Sequence, residues 1–396
     1  MTTLATTSPA AAAPRLSGTE RVPAADGLRG LAAVAIVLHH SAFVSGNSLA
    51  PDRWGALYSR LDVGVPVFFA LSGFLLFRPF VARMVTGEAA TPMWPFWRRR
   101  LLRIFPGYWL AFLTQLAIGA VSVLGFTGFA VSVSLTHVYA GRRALSGITQ
   151  SWSLATELAF YLVLPLYAVV AARVVRRRAA TQRLLLLLAG CVGWVVISVA
   201  SRAVSLRLNG ALQTNWRYTV FANADYFAVG MAFACLAVGA QVSPTFEALR
   251  QRMFARPWLW YLGAAVAFYI TATQLGLPRG LEDSDAQGEL ARQMGYLLVA
   301  VGTVGPACLA TARHASTRLL STRVAVFLGA VSYGLYLWHQ IFLSAPRGVG
   351  YVLRAFNWPL FDAPLVPVFA LATVGGVACG AASWYLVEKP ILDRYR

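Results

Sequence analysis

An arginine and a histidine, Arg29 and His40, flank an apolar run near the start of the chain, DGLRGLAAVAIVLHH (residues 26–40). Because an α-helix has about 3.6 residues per turn, the two side chains lie on one helix face, about 16 Å apart along the axis. An ionisable side chain inside lipid costs about 2.5 kcal/mol or more and commonly lines a cavity or a substrate path. The run therefore predicts a membrane helix with one face turned into an active site.

Three further ionisable residues in apolar segments are expected at the depth of His40, in the outer half of the membrane. They are Glu157 in SWSLATELAFYLVLPL, Asp225, and His339 in SYGLYLWHQ. An imidazole beside a carboxylate can take a proton from a hydroxyl. We expect His40 to be this base and Glu157 to fix its tautomer, with Asp225 and His339 lining the site.

A second group of charged residues is expected at the cytoplasmic edge of the membrane. Guanidinium groups suit planar, bidentate recognition of phosphate, so this level predicts a site for a phosphorylated donor. Its donor-binding candidates are Arg29, Arg100 and Arg103, and Glu388 and Lys389 are expected to line it.

Each candidate also has a structural alternative. Arg29 could be a snorkelling topology anchor. His40 and His339 could be polar helix-packing residues, and Asp225 could face water at the interface. Arg100 and Arg103 could be charges that set the orientation of their loop.

No metal or nucleophile motif accompanies these residues. The chain has no HExxH and no paired-cysteine signature, so no metal ion is expected. Ser72 in FFALSGFLL lacks the GxSxG context of a nucleophile elbow. Direct attack of an acceptor hydroxyl on a thioester is therefore a simpler mechanism than a covalent acyl-enzyme.

The composition indicates which elements must position these side chains. Only 12% of residues are charged, 58% are hydrophobic, and the mean hydropathy is +0.61, which is typical of a polytopic membrane protein rather than a soluble one. The net charge of +19 lies in short loops between apolar runs, a pattern of membrane topology and of contact with anionic lipid rather than of nucleic-acid binding.

The apolar runs predict an all-α membrane protein with about ten spans. Their expected limits are 27–44, 62–82, 106–132, 152–172, 184–201, 219–240, 257–276, 293–311, 324–345 and 363–386. The termini, the alternate loops and the cytoplasmic end of the second span hold 22 Lys and Arg residues against 11 in the other loops, so both termini are expected in the cytoplasm. Residues 1–23 are expected to be a disordered cytoplasmic tail, 24–392 the membrane domain, and 393–396 a cytoplasmic end.

Several blocks of the sequence occur in a known order and spacing. They are DGLRGLAAVAIVLHH, VFFALSGFLLF, RRRLLRIFPGYW, SWSLATELAFYLVLPL, SYGLYLWHQ and YLVEKPI. With them the chain resembles the acyltransferase 3 family of integral membrane O-acyltransferases over residues 24–392. The resemblance implies about ten spans in the cell membrane, and transfer of an acetyl or other short acyl group from cytoplasmic acyl-CoA to a hydroxyl of a cell-surface glycan, sugar or glycosylated metabolite. It implies acyl-CoA as a substrate and no bound cofactor.

The resemblance also carries residue roles. The family's Arg-ten residues-His motif falls on Arg29 and His40, its RxxR motif on Arg100 and Arg103, and its acid on Glu157. This chain has Leu158 where many members have a second acid, so a paired-carboxylate role is not expected.

Two other functions fit the same residues. A proton-coupled transporter could use His40, Glu157, Asp225 and His339 as a proton pathway. An acyl-translocating channel could serve a separate partner transferase. The absence of a convincing internal repeat in the sequence weakens the transporter alternative.

Overall fold

A computed structural model describes residues 18–88, 92–141, 143–208, 210–280, 284–343 and 364–395. In these ranges all the regular secondary structure is helical. The helices are α1 (Pro23–Val44), α2 (Arg53–Tyr58), α3 (Gly64–Thr86), α4 (Met93–Ala117), α5 (Gly125–Val133), α6 (Trp152–Val175), α7 (Ala180–Ser205), α8 (Gly210–Arg217), α9 (Ala224–Val242), α10 (Pro244–Met253), α11 (Pro257–Thr273), α12 (Ala286–Leu309), α13 (Ala315–Leu320), α14 (Arg323–Leu343), α15 (Leu365–Ser383) and α16 (Lys389–Arg394).

Seven of these helices are long and apolar enough to cross a membrane: α1, α3, α6, α7, α9, α14 and α15. The chain is therefore an all-α, multi-pass membrane protein, as predicted. Three more helices, α4, α11 and α12, overlap the remaining predicted spans. That these three also cross the bilayer, and that both termini are cytoplasmic, stay predictions.

The predicted limits of the third span, 106–132, are wrong. Helix α4 begins at Met93, runs through the arginine cluster and ends at Ala117. The following apolar residues do not continue it, because Gly119 and Gly125 adopt left-handed backbone conformations, with φ of 69° and 63°, that break a helix. The arginines assigned to a loop are therefore helical, and their side chains have fixed directions.

The predicted tail is also too long. Residues 1–17 lie outside the described residues, but the chain just before α1 packs against α3. The Arg78 Nε donates a hydrogen bond to the Gly18 carbonyl at 2.6 Å, and the same guanidinium donates to the Glu20 carbonyl. The backbone from residue 18 onward is therefore bound to the helical domain.

Two helices that carry candidate residues, α1 and α14, run side by side at close range. A methyl group at Gly30 would lie 2.8 Å from the Gly329 nitrogen, and one at Gly329 would lie 2.0 Å from the Asp26 carbonyl oxygen. Only glycines permit such an approach of two backbones. The helices are parallel, since His40 meets His339 further along both of them.

Helices α3 and α9 make a second close contact. A methyl group at Gly230 would lie 1.8 Å from the Ala70 carbonyl oxygen, and one at Gly73 would lie 2.2 Å from the Phe227 carbonyl oxygen. Both contacts are with backbone atoms, which cannot move aside as a flexible side chain can. The contact fixes how α3 is rotated about its axis, and therefore the direction of the Ser72 side chain next to Gly73.

We expect Gly230→Ala to destabilise the protein by about 3 kcal/mol or more, because a buried methyl group would force the two backbones apart. The measurement is the melting temperature of the detergent-purified protein. Gly263→Ala is the matched control, since it makes the same change on α11 where no atom lies within 4 Å of the added carbon. A shift within about 1 kcal/mol is expected there. Equal melting temperatures for the two variants would contradict the close packing.

Candidate active site

A cavity of about 290 Å³ lies between helices α1, α3, α4, α6 and α14. Its ionisable lining residues are Arg29, Arg100, Arg103 and Glu157. Its hydroxyl groups come from Ser72, Ser153, Tyr161, Ser332, Tyr333 and Tyr336, and the rest of its wall is aliphatic or phenylalanine. A mixed wall of this kind, with few convergent charges, is typical of a ligand site.

The structure brings the three predicted donor-binding arginines to one cavity. Arg29 projects from α1, while Arg100 and Arg103 lie three residues apart on α4 and so share one helix face. The Arg100 guanidinium lies over two rings, 5.7 Å from the centre of Phe96 and 6.0 Å from that of Tyr161. This cation–π contact holds a planar donor group at the cavity wall.

Glu157 lies in the same cavity, among the arginines. Its carboxylate accepts a hydrogen bond from the Ser72 hydroxyl and is hydrogen-bonded to Tyr161. It is close enough to attract the guanidinium groups of Arg29 and Arg100. Among the described residues that line this cavity, Glu157 is the one with a carboxylate, and its negative charge offsets part of the positive charge of the arginines.

The predicted pairing of Glu157 with His40 is wrong for the described residues. The hydrogen-bonding partner of His40 is His339, with 3.0 Å between His40 Nδ1 and His339 Nε2. The two rings are stacked, with centroids 5.1 Å apart and an angle of 18° between their planes. Residue numbers give depth along a helix but not which neighbour a side chain faces, and this is why the pairing was missed.

His40 also does not line the cavity that Arg29 lines. The two residues predicted on one helix face therefore do not share the described cavity. Tyr336 is near both groups. It lines the cavity, its ring centre is 6.2 Å from that of His339, and its hydroxyl is hydrogen-bonded to Ser153 and to the Gln150 carbonyl. Tyr336 therefore connects the wall of the cavity to the histidine pair.

Asp225 is not part of either group. Both its carboxylate oxygens accept hydrogen bonds from Gln293 Nε2, at 2.8 and 2.6 Å, and the Tyr226 hydroxyl donates to Gln293 Oε1 at 2.5 Å. Only 4% of Asp225 is exposed, so it does not face water, and its carboxylate is hydrogen-bonded to Gln293 rather than to a histidine. It links α9 to α12 through a buried hydrogen-bond network.

The two C-terminal candidates have different surroundings. Glu388 ends a π-helical turn, Trp384–Glu388, which follows α15, and only 3% of it is exposed. Its Oε1 accepts a hydrogen bond from the Ser383 hydroxyl at 2.8 Å, and it shares a small void with Arg103. Lys389 is exposed and lies 6.0 Å from the Tyr385 ring centre. Glu388 thus lies beside Arg103, one of the predicted donor-binding arginines, and Lys389 lies outside the cavity.

The cavity residues that the sequence analysis does not select include Ser72, Tyr161 and Tyr336. Ser72 was considered only as a nucleophile, whereas the structure shows it as a hydrogen-bond donor to Glu157. Tyr161 lies four residues after Glu157, so it falls on the same helix face, a spacing that could have identified it.

Ionisable groups elsewhere in the described residues include Glu289, which forms ion pairs with Arg292 at 2.9 Å and Arg217 at 3.5 Å, and the buried His137. No group of three His, Cys, Asp or Glu side chains there could hold a metal ion. His137 is fully buried in the segment before α6, where its Nε2 lies 3.4 Å from the Ser151 hydroxyl. Burial lowers the pKa of His137 to about 4, so this imidazole is neutral near pH 7.

Comparisons with known proteins identify the family of the chain. A family model described as an acyltransferase domain matches residues 22–385. A Bacillus subtilis protein named as a peptidoglycan O-acetyltransferase is 24% identical over 391 residues, covering 93% of this chain and 55% of that protein. Nodulation protein 10 of Rhizobium leguminosarum is 24% identical, covering 83% and 82%, and the O-acetyltransferase OatA of Staphylococcus aureus is 23% identical, covering 80% and 50%.

The chain thus spans about half the length of two of these relatives. No solved structure matches it.

Proposed function

Because the chain belongs to the acyltransferase 3 family, we propose that it is a membrane O-acyltransferase that moves an acetyl or other short acyl group from cytoplasmic acyl-CoA to a hydroxyl of a sugar or glycosylated acceptor. The observation that carries the proposal is the cavity lined by three arginines, together with the His40–His339 pair on α1 and α14, two of the helices that form that cavity. The names of the relatives, peptidoglycan O-acetyltransferase and O-acetyltransferase, support O-acetyl transfer to a glycan.

The donor end of the reaction is assigned to the cavity. Guanidinium groups bind phosphate through charge-assisted, often bidentate hydrogen bonds, and three of them lie at this wall. Arg100 and Arg103 would bind the phosphates of CoA, with Arg29 further along the cavity and the acyl group directed toward Tyr336. Glu388 would hold Arg103 from behind, since they border the same void.

The acceptor end is assigned to His40. As general base it would take the proton of the acceptor hydroxyl, whose oxygen then attacks the thioester carbonyl; the C–S bond breaks and the thiolate of CoA leaves. The described cavity does not extend to His40, so the reaction requires the Tyr336 side chain to move aside.

Glu157 has a different role in this proposal from the one expected from the sequence. It offsets the charge of the arginines while the cavity holds no anionic donor, and it anchors Ser72. It is a structural and electrostatic partner of the donor site rather than the residue that orients His40.

We therefore expect Glu157→Gln to lower the stability of the ligand-free protein by about 1–3 kcal/mol, because a charged hydrogen-bond acceptor is lost from among three guanidinium groups. Coenzyme A should then raise the melting temperature of the variant more than that of the wild type, since its phosphates replace the missing negative charge. The measurement is thermal unfolding with and without CoA. An equal or smaller CoA-induced shift in the variant would contradict this role.

The decisive experiment for the function uses purified protein in detergent micelles, with acetyl-CoA and a panel of sugar acceptors. Release of CoA that depends on the acceptor, with the acetylated product identified by mass spectrometry, is the expected result. Activity seen only in sealed vesicles with a proton gradient would favour transport instead. Transfer that requires a second protein would favour an acyl channel.

The structure gives little support to the transport alternative in the described residues. Glu157 and Asp225, which a proton pathway would need beside the imidazoles, are hydrogen-bonded to Ser72 and Gln293. Glu157, Asp225 and the His40–His339 pair are thus in three separate places.

A further inference from the structure

We infer that His339 is a positioning residue that fixes His40 in one tautomer, with the proton on Nδ1 and the basic lone pair on Nε2. The inference rests on the proposed function, because it assigns the residue that prepares the proposed base. The imidazole of His339 thus takes the role that the sequence analysis assigned to the carboxylate of Glu157.

The hydrogen bonds determine which nitrogen of each imidazole carries the proton. His339 Nδ1 lies 3.1 Å from the Leu335 carbonyl oxygen, which can only accept, so this nitrogen carries a proton. In a neutral imidazole the other nitrogen, Nε2, is then an acceptor. His40 Nδ1 lies 3.0 Å from that Nε2 and must therefore be the donor. This leaves the lone pair of His40 on Nε2.

The argument requires a neutral His339, and its surroundings favour that state. His339 has 0% of its surface exposed, and no ion pair between described residues involves either imidazole. Burying a cation without a partner costs several kcal/mol. If His339 were charged, both its nitrogens would donate, and His40 Nδ1 would be an acceptor with its proton on Nε2, which is the wrong tautomer for a base.

The packing around the pair holds this geometry. A methyl group at Gly376 on α15 would lie 3.3 Å from the backbone of His339, so α15 packs directly behind it. The neighbouring His39 packs edge-on against His40, with ring centroids 5.1 Å apart, while its Nδ1 donates to the Tyr58 carbonyl at 3.0 Å. His40 is only partly buried, whereas His339 is fully buried, so the basic nitrogen belongs to the ring that an acceptor can reach.

The simple alternative is that His339 only packs against His40, and His339→Phe separates the two possibilities. Phenylalanine keeps a flat ring for stacking but can neither donate to Leu335 nor accept from His40. We expect kcat to fall about 100-fold or more, as wrong tautomers of catalytic histidines do, while the KM for acyl-CoA changes little. His339→Gln is the conservative variant, because its amide can donate and accept, and it should recover a large part of the lost kcat.

A spectroscopic test does not depend on turnover. The chain has five histidines, so ¹⁵N-histidine NMR of the full-length protein in micelles, with single His→Gln variants for assignment, can resolve His40. The expected wild-type pattern is a protonated Nδ1 and an unprotonated Nε2 on His40, lost or mixed in His339→Phe.

Three outcomes decide between the inference and the proposed function. A wild-type His40 with its proton on Nε2, or full activity of folded His339→Phe, would overturn the inference while acyl transfer by the wild type stands. A wild-type protein with the expected ¹⁵N pattern but no acyl transfer would overturn the proposed function, and with it His40 as a base. Loss of kcat with the tautomer change and rescue by glutamine would support both.

Discussion

His40→Ala should abolish acyl transfer, lowering kcat by about 10²–10⁴-fold, because the acceptor hydroxyl loses its general base. The protein should still fold, since His40 is partly buried and its hydrogen bond to His339 is a side-chain contact between two helices that also pack through glycines. The measurement is acceptor-dependent CoA release by protein that elutes from size exclusion as the wild type does.

His39→Gln is the matched control for that variant. His39 precedes His40 in the same helix, but its Nδ1 donates to the Tyr58 carbonyl, a bond that a glutamine amide can also make. Activity should stay within a few-fold of the wild type. Full activity of His40→Ala would remove the proposed mechanism, and equal losses in both variants would contradict a specific role for His40.

Arg100→Ala and Arg103→Ala should each raise the KM for acetyl-CoA by about 10- to 100-fold, with a smaller effect on kcat. A hydrogen bond to a charged group contributes about 1.5–3 kcal/mol, and both side chains line the cavity assigned to the donor phosphates. The control is Arg99→Ala, which removes an exposed arginine from the same helix.

The substrate can test the same assignment. Acetyl-pantetheine keeps the thioester but lacks the nucleotide and its phosphates, so its KM should be the same for the wild type and for Arg100→Ala. An equal rise of KM for both donors would show that Arg100 shapes the cavity rather than binding phosphate. An unchanged KM for acetyl-CoA would mean that these arginines only orient the chain in the membrane.

The class of the fold could be predicted from the sequence because it depends on composition. Apolar runs of membrane-spanning length are visible residue by residue, and seven of them are helices of sufficient length and hydropathy. The grouping of the three arginines could also be predicted. The spacing of Arg100 and Arg103 puts them on one face of α4, and only one more helix, α1, has to pack near that face to bring in Arg29.

The partners of the buried carboxylates could not be predicted in the same way. A position along a helix gives depth at about 1.5 Å per residue, but the direction of the side chain depends on how the helix is rotated and tilted against its neighbours. Glu157 therefore appeared at the depth of His40, while the structure turns it toward Ser72 and the arginines. The surroundings of Asp225 were unpredictable for the same reason, because its partner Gln293 is 68 residues away in the sequence, on a helix that packs against α9.

The limits of α4 were missed for a local reason. A run of charged residues predicts a loop, but four guanidinium groups on one helix are acceptable when they face a polar cavity or the interface instead of lipid.

The close approach of α1 and α14 sets a spacing rule for this chain. From Gly30 to His40 and from Gly329 to His339 the separation is the same, ten residues, so two parallel helices in contact at the glycines also match at the imidazoles. Deleting one residue between Gly30 and His40 would turn His40 by about 100° and shift it by about 1.5 Å relative to its partner. Length, as much as residue type, is therefore under constraint in this part of α1, and homologues that keep both histidines should tolerate substitutions there but no insertions or deletions.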